Sequence, residues 1–328
     1  MWMVRNPGGQ HADELLKRGI VGIGWGEASQ QVAKAKDPEA FYEIIRTAFP
    51  DYTDQQVVNA GRQLYKFARE IKEGDEVITY DSPLRTYHIG VVTGPLATDA
   101  QLPEYLVNFR RVDWKKQVER DKLSRNARNK LGSTLTIFRP SEDAAGEVKS
   151  FMQGKATAAP IQEEVSPVEV EDPLTSAQET SKELIKDKIM RLDWDEMQHL
   201  MAGILRAMGY KTRVTPAGSD RGRDIIASPD GLGLEHPRIF VEVKHRKGAM
   251  GAPEVRKFVG GRDPQHDRCL YLSTGGFTHE AKYEAERAKF PLTLVDADML
   301  VELLVEHYDK VDTETRMLIP LRKTYWPA

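Results

Sequence analysis

Apolar and polar positions recur with two different periods along this chain, and the places where the period changes predict its elements. "MWMVR" and "GIVGIGWG" are short apolar runs that predict strands, and between them "ADELLKRG" has helical spacing and stops at Gly19. "DPEAFYEIIRTAFP" repeats its apolar residues every three to four positions between two prolines, and "TDQQVVNAGRQLYKFAREIKEGD" does so over a longer stretch that ends at Gly74. "DEVITYD", "RTYHIGVVTGPL" and "YLVNFRRVDWKK" then predict three strands separated by turn residues, with "STLTIFRP" as a final edge. Short strands with interposed helices over residues 1–140 predict an α+β unit built on a small mixed barrel.

From 141 to 175 the periodicity fades. This stretch, with "ATAAPIQEEVSPVEVEDP", is rich in Ala, Glu, Pro, Gln and Ser, which predicts a flexible linker. Helical spacing returns near Ser176 or Ser181. After it, residues 176–328 alternate helix and strand: "LDWDEMQHLMAGILRAMGY", "PEVRKFVGG", "CLYLS", "HEAKYEAERAKF" with Thr278 as its cap, "LTLVD" and "ADMLVELLVEHY". An α/β domain with a mixed sheet flanked by helices is the expectation there.

Two strands of that second region, Arg223 to Ala227 and Arg238 to His245, carry charges in an unusual place. Side chains alternate along a strand, so Glu242 and Lys244 share one face while Val241 and Val243 enter the core. With Asp224 on the neighbouring strand, two carboxylates and an amine converge on a small volume. Glu-x-Lys on a solvent-facing strand usually makes a weak cross-strand pair, and Asp is common near turns. Beside apolar valines, however, such charges are costly unless paired or bound to a cation. Mg²⁺, which takes one or two carboxylates plus waters and phosphate oxygens, suits this set, and Mn²⁺ has the same preference for oxygen. Lys244 would then position or deprotonate an attacking water, or stabilise charge building on a phosphate.

The order of motifs around these residues resembles the Mrr-type catalytic domain of the PD-(D/E)xK nuclease superfamily. The likeness runs over about residues 190 to 305 and includes the Ser-Thr-x-Gly-Phe-Thr segment, so it is far more specific than the three charges. It implies metal-dependent hydrolysis of DNA phosphodiesters, with Asp224 and Glu242 as metal ligands and Lys244 as the catalytic lysine. Glu196, on the preceding helix, matches the acidic residue that many of these nucleases add. Many Mrr-type domains have Gln where this chain has Glu242.

Over residues 1 to about 138 the order "WMVR", "GIGWGE", "KEGDEVITYDS", "YHIGVVTGPL", "RRVDW", with Gly74-Asp75 before one strand and Gly90 within the next, is similar to the N-terminal domains attached to some Mrr-type nucleases, and more distantly to EVE and other PUA-like domains. That resemblance implies a PUA-like small barrel that holds a modified base flipped from its strand. By position, Trp2, Trp25 and Tyr80 are the pocket candidates, with Asp81 and Ser82 as polar readers. Trp and Tyr in a small barrel are also common core residues.

Composition adds little beyond this. The 328 residues carry a net charge of −3, yet Arg110 to Lys130 holds nine basic residues against three acidic ones. Arg110, Arg111, Lys115 and Lys116 are therefore candidates for the DNA backbone, although a solvated face would look the same. Cys269, the one cysteine, excludes an intrachain disulfide and is expected in the core. Histidines 236, 245 and 266 show no metal spacing. The sequence lacks both a long apolar run and a signal-peptide core, so a cytoplasmic protein is expected.

Taken together, the expectation is a modification-dependent restriction endonuclease, acting on double-stranded DNA as a homodimer. A repair or structure-selective nuclease without modification readout, and a non-catalytic protein that binds modified DNA, are the alternatives.

Overall fold

The computed structural model describes residues 1–5, 11–32, 34–132, 135–154, 173–215, 224–232, 234–246, 248–260 and 267–324. The chain divides into two compact units, Met1–Glu179 and Thr180–Ala328.

In the first unit, β1 (Trp2–Val4), α1 (Ala12–Arg18), β2 (Ile20–Ile23), α2 (Ser29–Val32), α3 (Pro38–Ala48) and α4 (Asp54–Tyr65) precede the main strands. Those are β3 (Glu76–Asp81), β4 (Thr86–Val92), β5 (Ala97–Thr98) and β6 (Asn108–Glu119), followed by α5 (Arg125–Leu131), β7 (Ile137–Phe138) and α6 (Glu142–Met152). The helices start where their capping chemistry lies. Asp37 accepts from Ala40 N at the head of α3, and Thr53 and Gln56 form a capping box at the head of α4. Phe41, Ile44 and Ile45 line the buried stripe of α3. A Cβ at Gly61 would sit 2.6 Å from the Tyr42 ring, so this glycine sets how closely α4 packs on α3.

The sheet order is β2-β6-β4-β3-β1-β7, with β5 added to β6. β1 is parallel to β3 and the other pairings are antiparallel. Among the described residues β2 and β7 do not pair with each other, so the predicted small mixed barrel takes the form of a half-barrel sheet. A register shift at Ile89/Gly90 bends β4 against β6. There a Cβ on Gly90 would lie 2.4 Å from Val112 Cγ1. Buried residues on the two faces form separate cores, one under α3 and α4 and one under α5 and α6.

The predicted linker is corrected in its first part. α6 buries Ala144 and Val148 in the second core. It is also joined to α5 and its cap by Lys130–Asp143 at 2.9 Å and by Ser124 Oγ donating to Glu147 at 2.7 Å. Phe151 and Met152, at its C-terminal end, pack against the same core. Residues 155–172 lie outside the described ones.

α7 (Pro173–Ile189) crosses the division between the units and starts a few residues before the predicted position. Its buried Lys186 meets Asp298 at 2.6 Å. α8 (Trp194–Ala207), β8 (Lys211–Val214), β9 (Ile225–Ser228), β10 (Arg238–Lys244), α9 (Ala252–Val259), β11 (Asp267–Ser273), α10 (His279–Glu286), β12 (Leu292–Val295), α11 (Ala297–His307) and α12 (Thr313–Leu318) follow. The five-stranded sheet runs β12-β11-β10-β9-β8, parallel from β10 to β12 and antiparallel through β9 and β8. α8 and α11 contribute to the core on one face, α9 and α10 to that on the other. This is the expected mixed sheet flanked by helices. Thr278 caps α10 as predicted, and Cys269 is buried.

Candidate active site

The site is built at one end of the β9–β10 pair. Val241 and Val243 are fully buried in the core beside α8, while Phe240, two residues before Glu242, belongs to the core on the other face. The alternation therefore places Glu242 and Lys244 together, away from α8. Asp224, one residue before β9 and 2 % exposed, brackets Glu242. Its backbone N–H donates to Val241 O at 2.9 Å, and its carboxylate Oδ2 accepts from Val243 N at 2.6 Å. A buried carboxylate that accepts from a backbone N–H is held in position by it. Lys244 Nζ lies 2.6 Å from Glu242 Oε1, with the lysine head more exposed than the glutamate. Glu242 and Lys244 thus pair on one face of β10, and Asp224 is bonded to the backbone on either side of Glu242.

The Ser-Thr-x-Gly-Phe-Thr segment, Ser273 to Thr278, braces this end of β10. Thr274 N donates to Lys244 O, and Thr274 Oγ1 accepts from Arg246 N at 3.1 Å and contacts His245 Nδ1 at 3.1 Å. A Cβ on Gly275 would be 2.3 Å from Gly248 O, so the two loops touch backbone to backbone. The motif thus holds the segment that follows the lysine.

Glu196 lies on the helix where the sequence put it, at its start. It is the third residue of α8, and its Oε2 accepts from Asp193 N at 2.8 Å while Asp193 accepts from Glu196 N. This reciprocal box uses the carboxylate to satisfy the helix start. Two residues on, Gln198 is 1 % exposed, and among the described residues its Nε2 has no hydrogen-bond partner. An unpaired amide in a core is costly, so Gln198 is the α8 residue that asks for a functional explanation. A search for charges passes over it, although its place between Met197 and Leu200 on the apolar stripe marks it as buried. Among the described residues no three acidic, His or Cys side chains are close enough to hold a metal by themselves. Two carboxylates with waters and phosphate oxygens are nevertheless a donor set that Mg²⁺ accepts.

In the N-terminal unit Trp2 and Trp25 pack against one core and Tyr80 against the other. Trp2 is 3 % exposed, donates Nε1 to Asp75 at 3.1 Å and lies under the Arg139 guanidinium. Its register partner is Val77, so Tyr80, three residues further along β3, points to the opposite face. There Tyr80 packs on Tyr87 at 4.8 Å within the other core. Trp25 is half-buried with φ 61°, a left-handed conformation rare for a bulky residue. Asp81 and Ser82 are buried; Asp81 accepts from Leu84 N at 3.0 Å and lies 3.8 Å from His88 Nε2. Thr79, Asp81, Thr86 and His88 form a polar row on one face of β3 and β4.

Of the four basic candidates, Arg110 is corrected. It is 5 % exposed and donates to the carbonyls of Phe67 and Ala68 at 3.1 Å each, and burial pulls its pKa down. Those carbonyls belong to a π-turn, Lys66–Glu70, that extends α4. Its wider ring leaves carbonyls that the guanidinium satisfies. Arg111, Lys115 and Lys116 are exposed on β6.

Comparison with known proteins divides the chain in the same way. Residues 189–304 match a family model described as a restriction endonuclease, Mrr_cat, and the C-terminal unit carries a restriction endonuclease domain of that type. Residues 2–139 match a domain of unknown function, DUF8426, so the EVE or PUA likeness stays a reading of the sequence. The uncharacterized protein y4cE of Sinorhizobium fredii is 28 % identical over 119 residues, 35 % of this chain. The match spans 30 % of that relative. Among solved structures, the MspJI restriction endonuclease in complex with a 27-mer oligonucleotide has 13 % identity and a TM-score of 0.33, covering 97 % of this chain and 79 % of that one. The DNA modification-dependent restriction endonuclease AspBHI has 14 % identity and a TM-score of 0.33, covering 79 % and 73 %.

Proposed function

We propose that this protein is a modification-dependent DNA endonuclease that defends a cell against foreign DNA. The C-terminal unit cuts phosphodiester bonds, and the N-terminal unit selects the DNA. The observation that carries the reading is the bracket of Asp224 around Glu242, with Lys244 paired to that glutamate. Two carboxylates held near each other on neighbouring strands suit an oxygen-preferring cation. Asp224 and Glu242 would hold Mg²⁺, or Mn²⁺ in its place, and the ion would supply Lewis-acid stabilisation of charge on the phosphate. Asp224, pinned on Val243 N–H, holds its carboxylate still. Lys244 exchanges its partner Glu242 for the phosphate oxygen or the attacking water as the substrate arrives. Since each chain carries one such site, cutting both strands calls for two copies, and the working unit is a homodimer.

In the selecting unit, Trp25 is the pocket aromatic that keeps an accessible ring, and Arg111, Lys115 and Lys116 bind phosphates. The test is cleavage of matched DNAs that differ in base modification, with and without Mg²⁺. Metal-dependent cutting of the modified DNA alone is expected; cutting of both alike would overturn modification readout. A second reading, a repair or structure-selective nuclease, is favoured by one fact: Trp2 and Tyr80 are core residues on opposite faces of the sheet. It predicts equal cutting of modified and unmodified duplexes and a preference for mismatched or branched DNA.

A further inference from the structure

In the N-terminal sheet, side chains two apart on a strand share a face, as do register partners on neighbouring strands. Val77, Thr79 and Asp81 of β3 therefore stand with their partners Gly90, His88 and Thr86 of β4, on the face whose core includes Val77. On β6 the partners of Gly90 and His88 are Trp114 and Gln117. Along this face the apolar core gives way, one rung past Val77, to polar side chains.

That rung is unsatisfied. Thr79 is 0 % exposed and His88 7 %, and among the described residues neither Thr79 Oγ1 nor His88 Nε2 has a hydrogen-bond partner. Cross-strand partners have their Cβ atoms about 5 Å apart, so two unpaired groups border one small space. Asp81 accepts from Leu84 N through Oδ1, and its Oδ2 stops 3.8 Å from His88 Nε2, beyond hydrogen-bond reach. Polar atoms buried without partners destabilise a fold, and a ligand that supplies the missing donors and acceptors removes that cost.

The surroundings say which ligand fits. A Cβ on Gly90 would come 2.9 Å from Trp114 Cε3, so the indole lies over the glycine, and Trp114 and Trp25 pack against the same core. Gln117, beside His88, is exposed, so the polar rung borders solvent along β6, the strand that also carries Arg111, Lys115 and Lys116. Asp81 repels a phosphate, whereas flat rings and neutral donors and acceptors suit an uncharged heterocycle. A carboxylate only accepts, so that heterocycle must bring an N–H. We propose that this patch holds a base flipped from the DNA, and that the base carries an exocyclic amine. The amine donates to Asp81, while Thr79 and His88 pair with the neighbouring ring nitrogen or carbonyl. This rests on the reading above that the N-terminal unit selects DNA by its bases.

The experiment compares the full-length wild type with Thr79→Val and His88→Phe, by fluorescence anisotropy at fixed salt in EDTA and by thermal melting. Each duplex carries one test base opposite an abasic site, which eases flipping. Two pairs of test bases, 5-methylcytosine with thymine and adenine with hypoxanthine, set a ring amine against a ring carbonyl. The wild type should prefer the amine of at least one pair about tenfold, the usual effect of one hydrogen bond to a charged group. Both variants should lose that preference, and Thr79→Val should melt at a higher temperature because it no longer buries an unpaired hydroxyl. Thr79→Val keeps the side chain's shape, so its result stands whether or not His88→Phe folds. An amine preference retained by Thr79→Val overturns the site and leaves base selection standing. A retained preference with a lower melting temperature marks the hydroxyl as the seat of an ordered water only, and also overturns it. Equal affinities within both pairs in the wild type, with modified DNA still cut selectively, overturn the amine-bearing base alone. Equal cutting of modified and unmodified DNA fails the underlying reading instead.

Discussion

The two units answer the same kind of question in opposite ways. In the C-terminal unit Glu242 and Lys244 pair on one strand and Asp224 is bonded to the backbone on either side of Glu242, whereas in the N-terminal unit Trp2 and Trp25 pack against one core and Tyr80 belongs to the other. The difference lies in what burial does to each type. A charge on a strand between buried valines is anomalous wherever the sheet lies, so the pattern alone flags it. An aromatic is at home in any core, and only the sheet's two faces decide whether it lines a pocket or fills one.

The comparison is tested most severely at the C-terminal site. Asp224→Ala, Glu242→Ala and Lys244→Ala should each lower the cleavage rate by about 10²–10³-fold while DNA binding is largely kept. Glu196→Ala should retain cleavage and lose only about 1 kcal/mol of stability from the opened capping box. Loss of cleavage in Glu196→Ala with a normal melting curve would return that residue to the site.

In the N-terminal unit the expected effects are on stability. Trp2→Ala removes a fully packed ring and should cost about 3–5 kcal/mol, read by denaturant unfolding. Arg110→Ala strands the carbonyls of the π-turn and should cost about 2–4 kcal/mol. Wild-type stability with weakened DNA binding in either variant would put it back on the binding surface. Reversing the charges of Arg111, Lys115 and Lys116 should instead leave stability within about 0.5 kcal/mol and reduce the salt dependence of DNA binding, alike for modified and unmodified duplexes. A preserved salt slope would assign phosphate contact to another face.

The smallest effect concerns acid. Glu14 accepts a hydrogen bond from Tyr105 Oη at 2.7 Å and an ion pair from Arg18 at 2.9 Å. The Tyr105 bond chiefly, against the pull of burial and aided by Arg18, holds its pKa below the ordinary value of 4.5. A depressed carboxylate stabilises the fold above its unfolded pKa and loses that contribution as pH falls through the folded one. Tyr105→Phe should therefore be less stable than wild type at neutral pH by at most about 1 kcal/mol. The gap should close on acidification below about pH 4. A gap independent of pH would mean that the hydroxyl acts through packing alone.

Much of the element order was legible before any coordinates. The apolar stripe of α3, the stops at Gly19 and Gly74, the Thr278 cap and the alternation around Glu242 are local properties, set by neighbours within a turn or a strand. The trio of Asp224, Glu242 and Lys244 was legible for the same reason: period-two geometry needs only the strand. Tertiary structure decided what depends on distant partners. α6 is a packed helix because Glu147 and Asp143 find Ser124 and Lys130. Arg110 is internal because a π-turn far along the chain exposes carbonyls to it, and Thr79 stands beside His88 because β4 pairs in that register. Burial is a property of surfaces brought together from separate parts of the chain, and no single stretch of sequence contains both of them.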